Sequence, residues 1–305
     1  MSYRYTTTFL ANEGFVCRRD KRSILLSAFA AGQVGTADQT IAYTNAIQEF
    51  LRAVGEEAVV ATPVDAPPPR LLTLEEFTEP ADQHYYKYVP ARTWKYLQEG
   101  SFQFGSAEYY RRAENPNVRD WLEGLSTVQL FSGNDQVTFA IRAGFNCAIF
   151  CGTREINGPD HERMMAQFSD GGGKCLRIRP VPDFMAHVKK RTRAFRVRLH
   201  DTIYTDAKVL MLQHSEASRL RTYLKGSPSI EQINRRFFAE LYEFGLMPSL
   251  YLKPTSYLHE RERRMVFELR DDLTSPVVIV KDKELLQFVD VVDSFGGKPD
   301  RHGSI

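Results

Sequence analysis

The sequence predicts an α+β fold: a split, mostly antiparallel sheet flanked by helices, preceded by a small N-terminal segment. Three observations point there. Short strand-like runs are interspersed with helical patterns irregularly, without the long rhythm of a doubly wound sheet. Three consecutive prolines, Pro67 to Pro69, mark an extended linker. A strand over 260–269 carries charge at every second position, and side chains two apart on a strand share a face. The expected divisions are residues 1–70, a segment of unassigned role ending in the linker; 71–294, the α+β domain; and 295–305, a tail that frays.

In chain order, 39–54 reads as an amphipathic helix, with Tyr43, Ala46, Ile47, Phe50, Leu51 and Val54 on one face and Gly55 at its end. After the linker, 85–89 is an aromatic strand, 93–100 a helical turn closed by Gly100, and 102–106 a second strand. Strands follow over 137–143 and 146–152. A helix over 160–168 is introduced by Pro159, then a strand over 175–179. Val181 opens a helix to 191 with proline in its first turn, and 194–199 alternates as a strand. The helical spacing of Ile230, Ile233, Phe237, Leu241 and Phe244 predicts a helix over 229–244 capped by Ser229. The charged strand comes next, then a strand over 277–280 and a final helix over 283–292.

Composition narrows the class. Of 305 residues, 43% are hydrophobic and 26% charged, as in globular domains, and the net charge of +2 implies no nucleic-acid or membrane partner for the chain as a whole. Cys17, Cys147, Cys151 and Cys175 fall into no zinc or redox pattern and read as buried free thiols, so no metal is expected. No apolar run approaches the ~20 residues of a membrane span. The first residues lack a basic segment followed by an apolar core, so the expectation is a cytoplasmic protein.

Four constellations offer chemistry. In Tyr86-Lys87-Tyr88, tyrosines flanking a lysine suit a planar ligand with a phosphate, or form a packed strand with a solvated lysine. Tyr109 to Gly124 sets Tyr110, Arg111 and Arg119 in an aromatic, arginine-rich stretch that either clamps phosphate or pairs with Glu114 and Asp120. Lys189 to Arg198 holds six cations in ten residues. It suits a nucleic-acid backbone, or a helix C-terminus followed by an arginine-guarded edge strand. The fourth is the charged strand, where Glu260, Glu262 and Arg264 are expected on one face opposite Met265, Phe267 and Leu269. Carboxylates this close raise each other's pKa unless a cation intervenes, and Arg264 is placed to intervene. Such carboxylates stabilise oxocarbenium-like centres, or form an ion ladder on an exposed strand.

Taken in order, Tyr-Lys-Tyr, Leu-Gln-Glu-Gly with Phe-Gly-Ser, Tyr-Tyr-Arg, the aromatic-Cys strand, Met-x-x-x-Phe-Ser-Asp and Lys-Pro…Glu-x-Glu-x-Arg resemble a bacterial family of unknown function. That family is marked by Tyr-Lys/His-Tyr and Lys…Glu-x-Glu-x-Arg strands and is distantly similar to ADP-ribosyltransferases. The resemblance covers residues 84 to 270 or so. It implies a split sheet binding NAD in a cleft, with Glu262 and Glu260 catalytic and Lys87, Tyr88, Ser106, Tyr110, Arg111 and Arg264 on the cofactor. Lys87 stands where the related enzymes carry His or Arg. The implied activity is NAD-dependent ADP-ribosyl transfer or NAD hydrolysis, with a protein or nucleic-acid acceptor. The competing expectation is a non-catalytic nucleic-acid or nucleotide recognition module of a bacterial defence or toxin system.

Overall fold

A computed structural model describes residues 5–10, 14–19, 26–29, 72, 76–113, 120, 123–132, 135–142, 146–156, 158–168, 173–205, 209–213, 216–224, 232, 236, 247–270 and 273–292. The helix expected over 39–54, the proline linker and the tail lie outside these residues, as does nearly all of the helix expected over 229–244. The chain forms two compact units, neither a continuous stretch. Unit 1 comprises 1–77, 120–144 and 203–255; unit 2 comprises 78–119, 145–202 and 256–305.

Unit 1 begins with β1 (Tyr5–Leu10), β2 (Gly14–Arg19) and β3 (Leu26–Phe29). The chain enters unit 2 with β4 (Tyr86–Val89), α1 (Ala91–Gln98), β5 (Ser101–Gly105) and α2 (Ala107–Arg112). It returns to unit 1 for β6 (Leu125–Ser132) and β7 (Asp135–Arg142). Unit 2 resumes with β8 (Cys147–Thr153), α3 (Gly158–Phe168), β9 (Lys174–Ile178), α4 (Val181–Thr192) and β10 (Arg196–Asp201). Unit 1 then takes β11 (Ile203–Tyr204), β12 (Val209–Gln213), α5 (Glu216–Leu224), α6 (Met247–Ser249) and β13 (Leu252–Lys253). A 3₁₀ helix, Thr255–Glu260, leads into β14 (Glu262–Glu268) and β15 (Val277–Lys281). A second 3₁₀ helix, Lys283–Phe288, precedes β16 (Val289–Val292).

In unit 1 the strand order is β1-β2-β3-β7-β6-β12, antiparallel except for the parallel β6–β12 pair, with α5 packed on β6 and β7. In unit 2 eight antiparallel strands run β10-β14-β8-β4-β9-β16, with β5 and β15 branching from β8. The branch splits the sheet at β8. One edge of β8 pairs with β14 along its length; the other meets β4 at Thr153 and β5 at Ile149.

One face of this sheet holds the aromatic core. Phe150 packs with Tyr85, Phe102, Phe104 and Phe184, and Phe104 meets Phe267 edge-on at 5.4 Å. Helix α4 covers it by burying Val181, Phe184 and Val188, the i, i+3, i+7 stripe of an amphipathic helix. Its last turn carries Lys189, Lys190 and Arg191, as the helix dipole favours, and Arg193 ends it in the left-handed conformation. Gly152 lets Tyr85 cross the sheet, since a Cβ there would lie 2.4 Å from the Tyr85 ring. Where the sequence predicts one helix over 283–292, a 3₁₀ helix capped by Asp282 gives way to strand β16. The β-branched Val289, Val291 and Val292 favour the strand, paired with β9.

Arg263 joins this core from β14, fully buried. Its Nε donates to Asp201 Oδ1 at 2.5 Å and Nη2 to Asp201 Oδ2 at 3.1 Å. Nη1 donates to Asp82 Oδ1 at 2.8 Å and to the carbonyls of His84 and Asp82. This is the bidentate, fully satisfied geometry a buried guanidinium requires. It ties β14 to the end of β10 and to the segment before β4. The hydrogen bond from Arg263, more than any other influence, lowers the Asp82 carboxyl from its ordinary 3.8 to about 2. A depressed carboxylate contributes stability that is complete above 3.8 and is lost as pH falls to about 2. Asp82→Asn should therefore cost stability at neutral pH and flatten the decline through that acid window in urea titrations. An unchanged acid slope would contradict the clamp.

Candidate functional site

Strand β14 lies between β10 and β8 with all seven residues buried, so its charged face is interior and not a solvated edge. Register puts Glu262 opposite Thr153, Arg264 opposite Cys151 and Glu268 opposite Cys147 on one face. Arg263, Met265 and Phe267 take the aromatic face. Arg264 Nε donates to Glu262 Oε1 at 2.7 Å, so the guanidinium does meet a carboxylate on its own face.

Glu260 departs from the expected ladder. It ends the 3₁₀ helix, and Arg261 follows with a left-handed φ of 43°, so the strand begins only at Glu262. The turn removes Glu260 from the strand pleat. It lines instead a small recess with Tyr88, Thr153, Glu155, Asp160, His161, Met164, His259 and Arg261. Sequence spacing cannot reveal this, because left-handed backbone is rare outside Gly, Asn and Asp.

Strands β4 and β8, helix α3 and the turn over 259–261 contribute to the recess. Tyr88 projects from β4 on the face of Cys175, its register partner. Helix α3 lays His161 and Met164 over it, and Tyr88 Oη lies 2.6 Å from His161 Nδ1. Burial raises the Tyr88 phenol and lowers the His161 imidazole from their ordinary values. Arg261 spans the rim, donating to Glu155 and, at 3.1 Å, to Asp160 Oδ2. Its carbonyl accepts from Arg154 N–H and Thr153 Oγ1, both at 3.2 Å.

The remaining expected site residues separate into groups. Tyr110 is carried by α2, with its hydroxyl 3.4 Å from the Ile149 carbonyl. Burial raises its phenol, and Cys151 and Glu262 add to the effect while Arg264 opposes it. Burial also pushes the Cys151 thiol well up, with Glu262 next in effect, so this cysteine is held as an inert thiol. Ser106 caps α2 by accepting Tyr109 N–H at 3.0 Å, and Arg111 is buried on the same helix. Lys87 pairs in register with Leu176 of the aromatic core, on the face away from Glu262. Its ammonium donates to the Cys151 carbonyl at 2.6 Å and lies 5.2 Å from the Phe150 ring centre. Arg119 and Glu114 lie outside the described residues.

Two further clusters bear charge. Arg191 and His187 of α4 both reach Asp282 Oδ2, with Glu284 nearby, and the His187, Asp282 and Glu284 ligand atoms lie within 4.8 Å of one another. The Arg191 guanidinium already neutralises that carboxylate, so this is an ion-pair network. At the far end of β14, Glu268 is fully buried and neither oxygen accepts a hydrogen bond; Arg198 Nε is 3.8 Å away.

Comparison with family models, curated proteins and solved structures finds no match to this chain. Among the described residues, no helix is long and apolar enough to cross a membrane.

Burial raises the Glu268 carboxyl above its ordinary 4.5, against the opposing pull of Arg196 and Arg198. A raised carboxyl stabilises the fold below that ordinary value, and the contribution is lost as pH rises through the folded value. Glu268→Gln should therefore shift Tm more favourably at pH ~7.5 than at pH ~4, where both side chains are neutral. The opposite order would mean that the ion pair with Arg198 outweighs desolvation.

Proposed function

We propose that the chain acts on the N-glycosidic bond of NAD, releasing nicotinamide and passing ADP-ribose to water or to an acceptor. The observation that carries this reading is the recess, which Glu260 lines together with Tyr88 and His161. It sits at the end of a forked antiparallel sheet, beside the strand that carries Glu262. The resemblance to ADP-ribosyltransferases implies a split sheet, and the fork at β8 supports the reading to that extent.

The chemistry asks for one carboxylate facing the ribosyl C1′ as its bond to the pyridinium nitrogen breaks. The electron pair leaves with nicotinamide, and a hydroxyl oxygen adds to C1′ with loss of its proton. On this reading Glu260 faces C1′ and stabilises the oxocarbenium-like centre. Glu262 holds Arg264 on the sheet behind it, a division of labour that differs from the equivalent strand positions expected of the pair. Lys87 takes no part, because its register turns it to the aromatic face. As it stands the recess has room for about one water molecule. Substrate entry therefore requires the half-exposed Arg261 side chain to move from its rim.

The recognition-module reading gains less. Of the basic run, Arg191 is engaged by Asp282 and Arg198 lies beside Glu268, which withdraws charge from any phosphate partner.

Nicotinamide released from NAD by the purified chain, followed by chromatography, tests the proposal. Wild type should turn over, and Glu260→Gln should lose about 100-fold or more in kcat with its urea midpoint retained. No release above buffer by wild type, or full activity in Glu260→Gln, would overturn it.

A further inference from the structure

Arg261 combines three features that ordinary rim residues lack. It is a non-glycine residue in left-handed backbone, which persists only where the surrounding structure holds it there. Its carbonyl is hydrogen-bonded to Arg154 N–H, so the backbone fixes the two arginines side by side. And both guanidiniums turn to one carboxylate oxygen: Glu155 Oε1 accepts from Arg261 Nη1 and lies 3.6 Å from Arg154 Nε. The side chains involved are 40% and 47% exposed for the arginines and 31% for Glu155. Exposed pairs of this kind are worth little and exchange partners readily. The second carboxylates, Asp160 on Arg261 Nε and Asp201 at 3.5 Å from Arg154 Nη1, hold the outer edges of the forks.

From this geometry we propose a diphosphate-binding site between Arg154 and Arg261, in which Glu155 is an internal competitor for the phosphate oxygens. A single carboxylate oxygen between two neighbouring guanidiniums occupies the position that a bridging phosphate oxygen takes, and arginine forks match phosphate as well as carboxylate. A diphosphate offers more oxygens and more charge than Glu155, so it displaces the carboxylate and draws Arg261 off the rim. The same exchange opens the recess over Glu260. The nucleotide identity of the ligand rests on the proposed NAD reading; the anion site itself does not.

Calorimetric titration of the full chain with inorganic pyrophosphate at low ionic strength tests the site directly. Glu155→Gln should bind about tenfold more tightly than wild type, a difference of ~1.4 kcal/mol. Arg261→Gln in the Glu155→Gln background should abolish the gain, and Arg154→Gln should reduce it. Asp160→Asn, which frees the other side of the same fork, should move affinity in the same direction as Glu155→Gln. Pyrophosphate binding that is absent in Glu155→Gln, no tighter than in wild type, or indifferent to Arg261→Gln would overturn the proposal. ADP-ribose should bind more tightly than pyrophosphate; equal affinity would overturn the nucleotide assignment. A chain that binds pyrophosphate as predicted but releases no nicotinamide would refute the catalytic reading alone.

Discussion

The Arg263 guanidinium is the interaction on which the architecture of unit 2 depends. A charged group with no exposure sits on the same strand face as Met265 and Phe267. It is tolerable there because Asp201 and Asp82, with the His84 and Asp82 carbonyls, meet its donors. Removing Asp201 or Asp82 leaves that guanidinium buried with fewer partners, whereas the carboxylates, 33% and 57% exposed, can return to solvent, so the cost falls below that of a fully buried pair. The partners come from β10 and from the segment before β4. Arg263 thereby holds three parts of the chain in one register.

That register decides which side chains can act together. A slip of one residue exchanges the two faces of a strand. With Arg263 fixed on the aromatic face, Glu262, Arg264 and Glu268 are committed to the other, above Thr153, Cys151 and Cys147. The left-handed turn at Arg261 then separates Glu260 from that ladder and delivers it to the recess under α3. Glu262 and Glu260, two residues apart in sequence, thus occupy different environments: the first is bonded to Arg264 on the sheet, and the second lines the recess with Tyr88 and His161.

Much of this was legible from periodicity. The alternation of β14, the helix that opens at Val181, the strands at Tyr86–Val89 and Cys147–Thr153 and the pairing of Arg264 with a carboxylate all follow from local spacing and composition. What spacing does not carry is long-range partnership. Arg263 looks like one more cation in a charged run until Asp82 and Asp201, 181 and 62 residues away in sequence, close around it. His161 draws no notice in the helix over 160–168 until Tyr88, 73 residues earlier, meets it. Arg261 gives no sign of left-handed backbone, which in sequence belongs to glycine. Lys87 is paired with Glu262 by family order, yet strand register sends it to the opposite face.

The clamp is best tested by a double-mutant cycle on Arg263 and Asp201, using Arg263→Met, Asp201→Asn and the double variant in urea unfolding. A buried, bidentate pair predicts a coupling energy of at least ~2 kcal/mol, with the double variant less damaged than the sum of the single ones. A coupling below ~0.5 kcal/mol, the range of independent sites, would contradict the central role of Arg263.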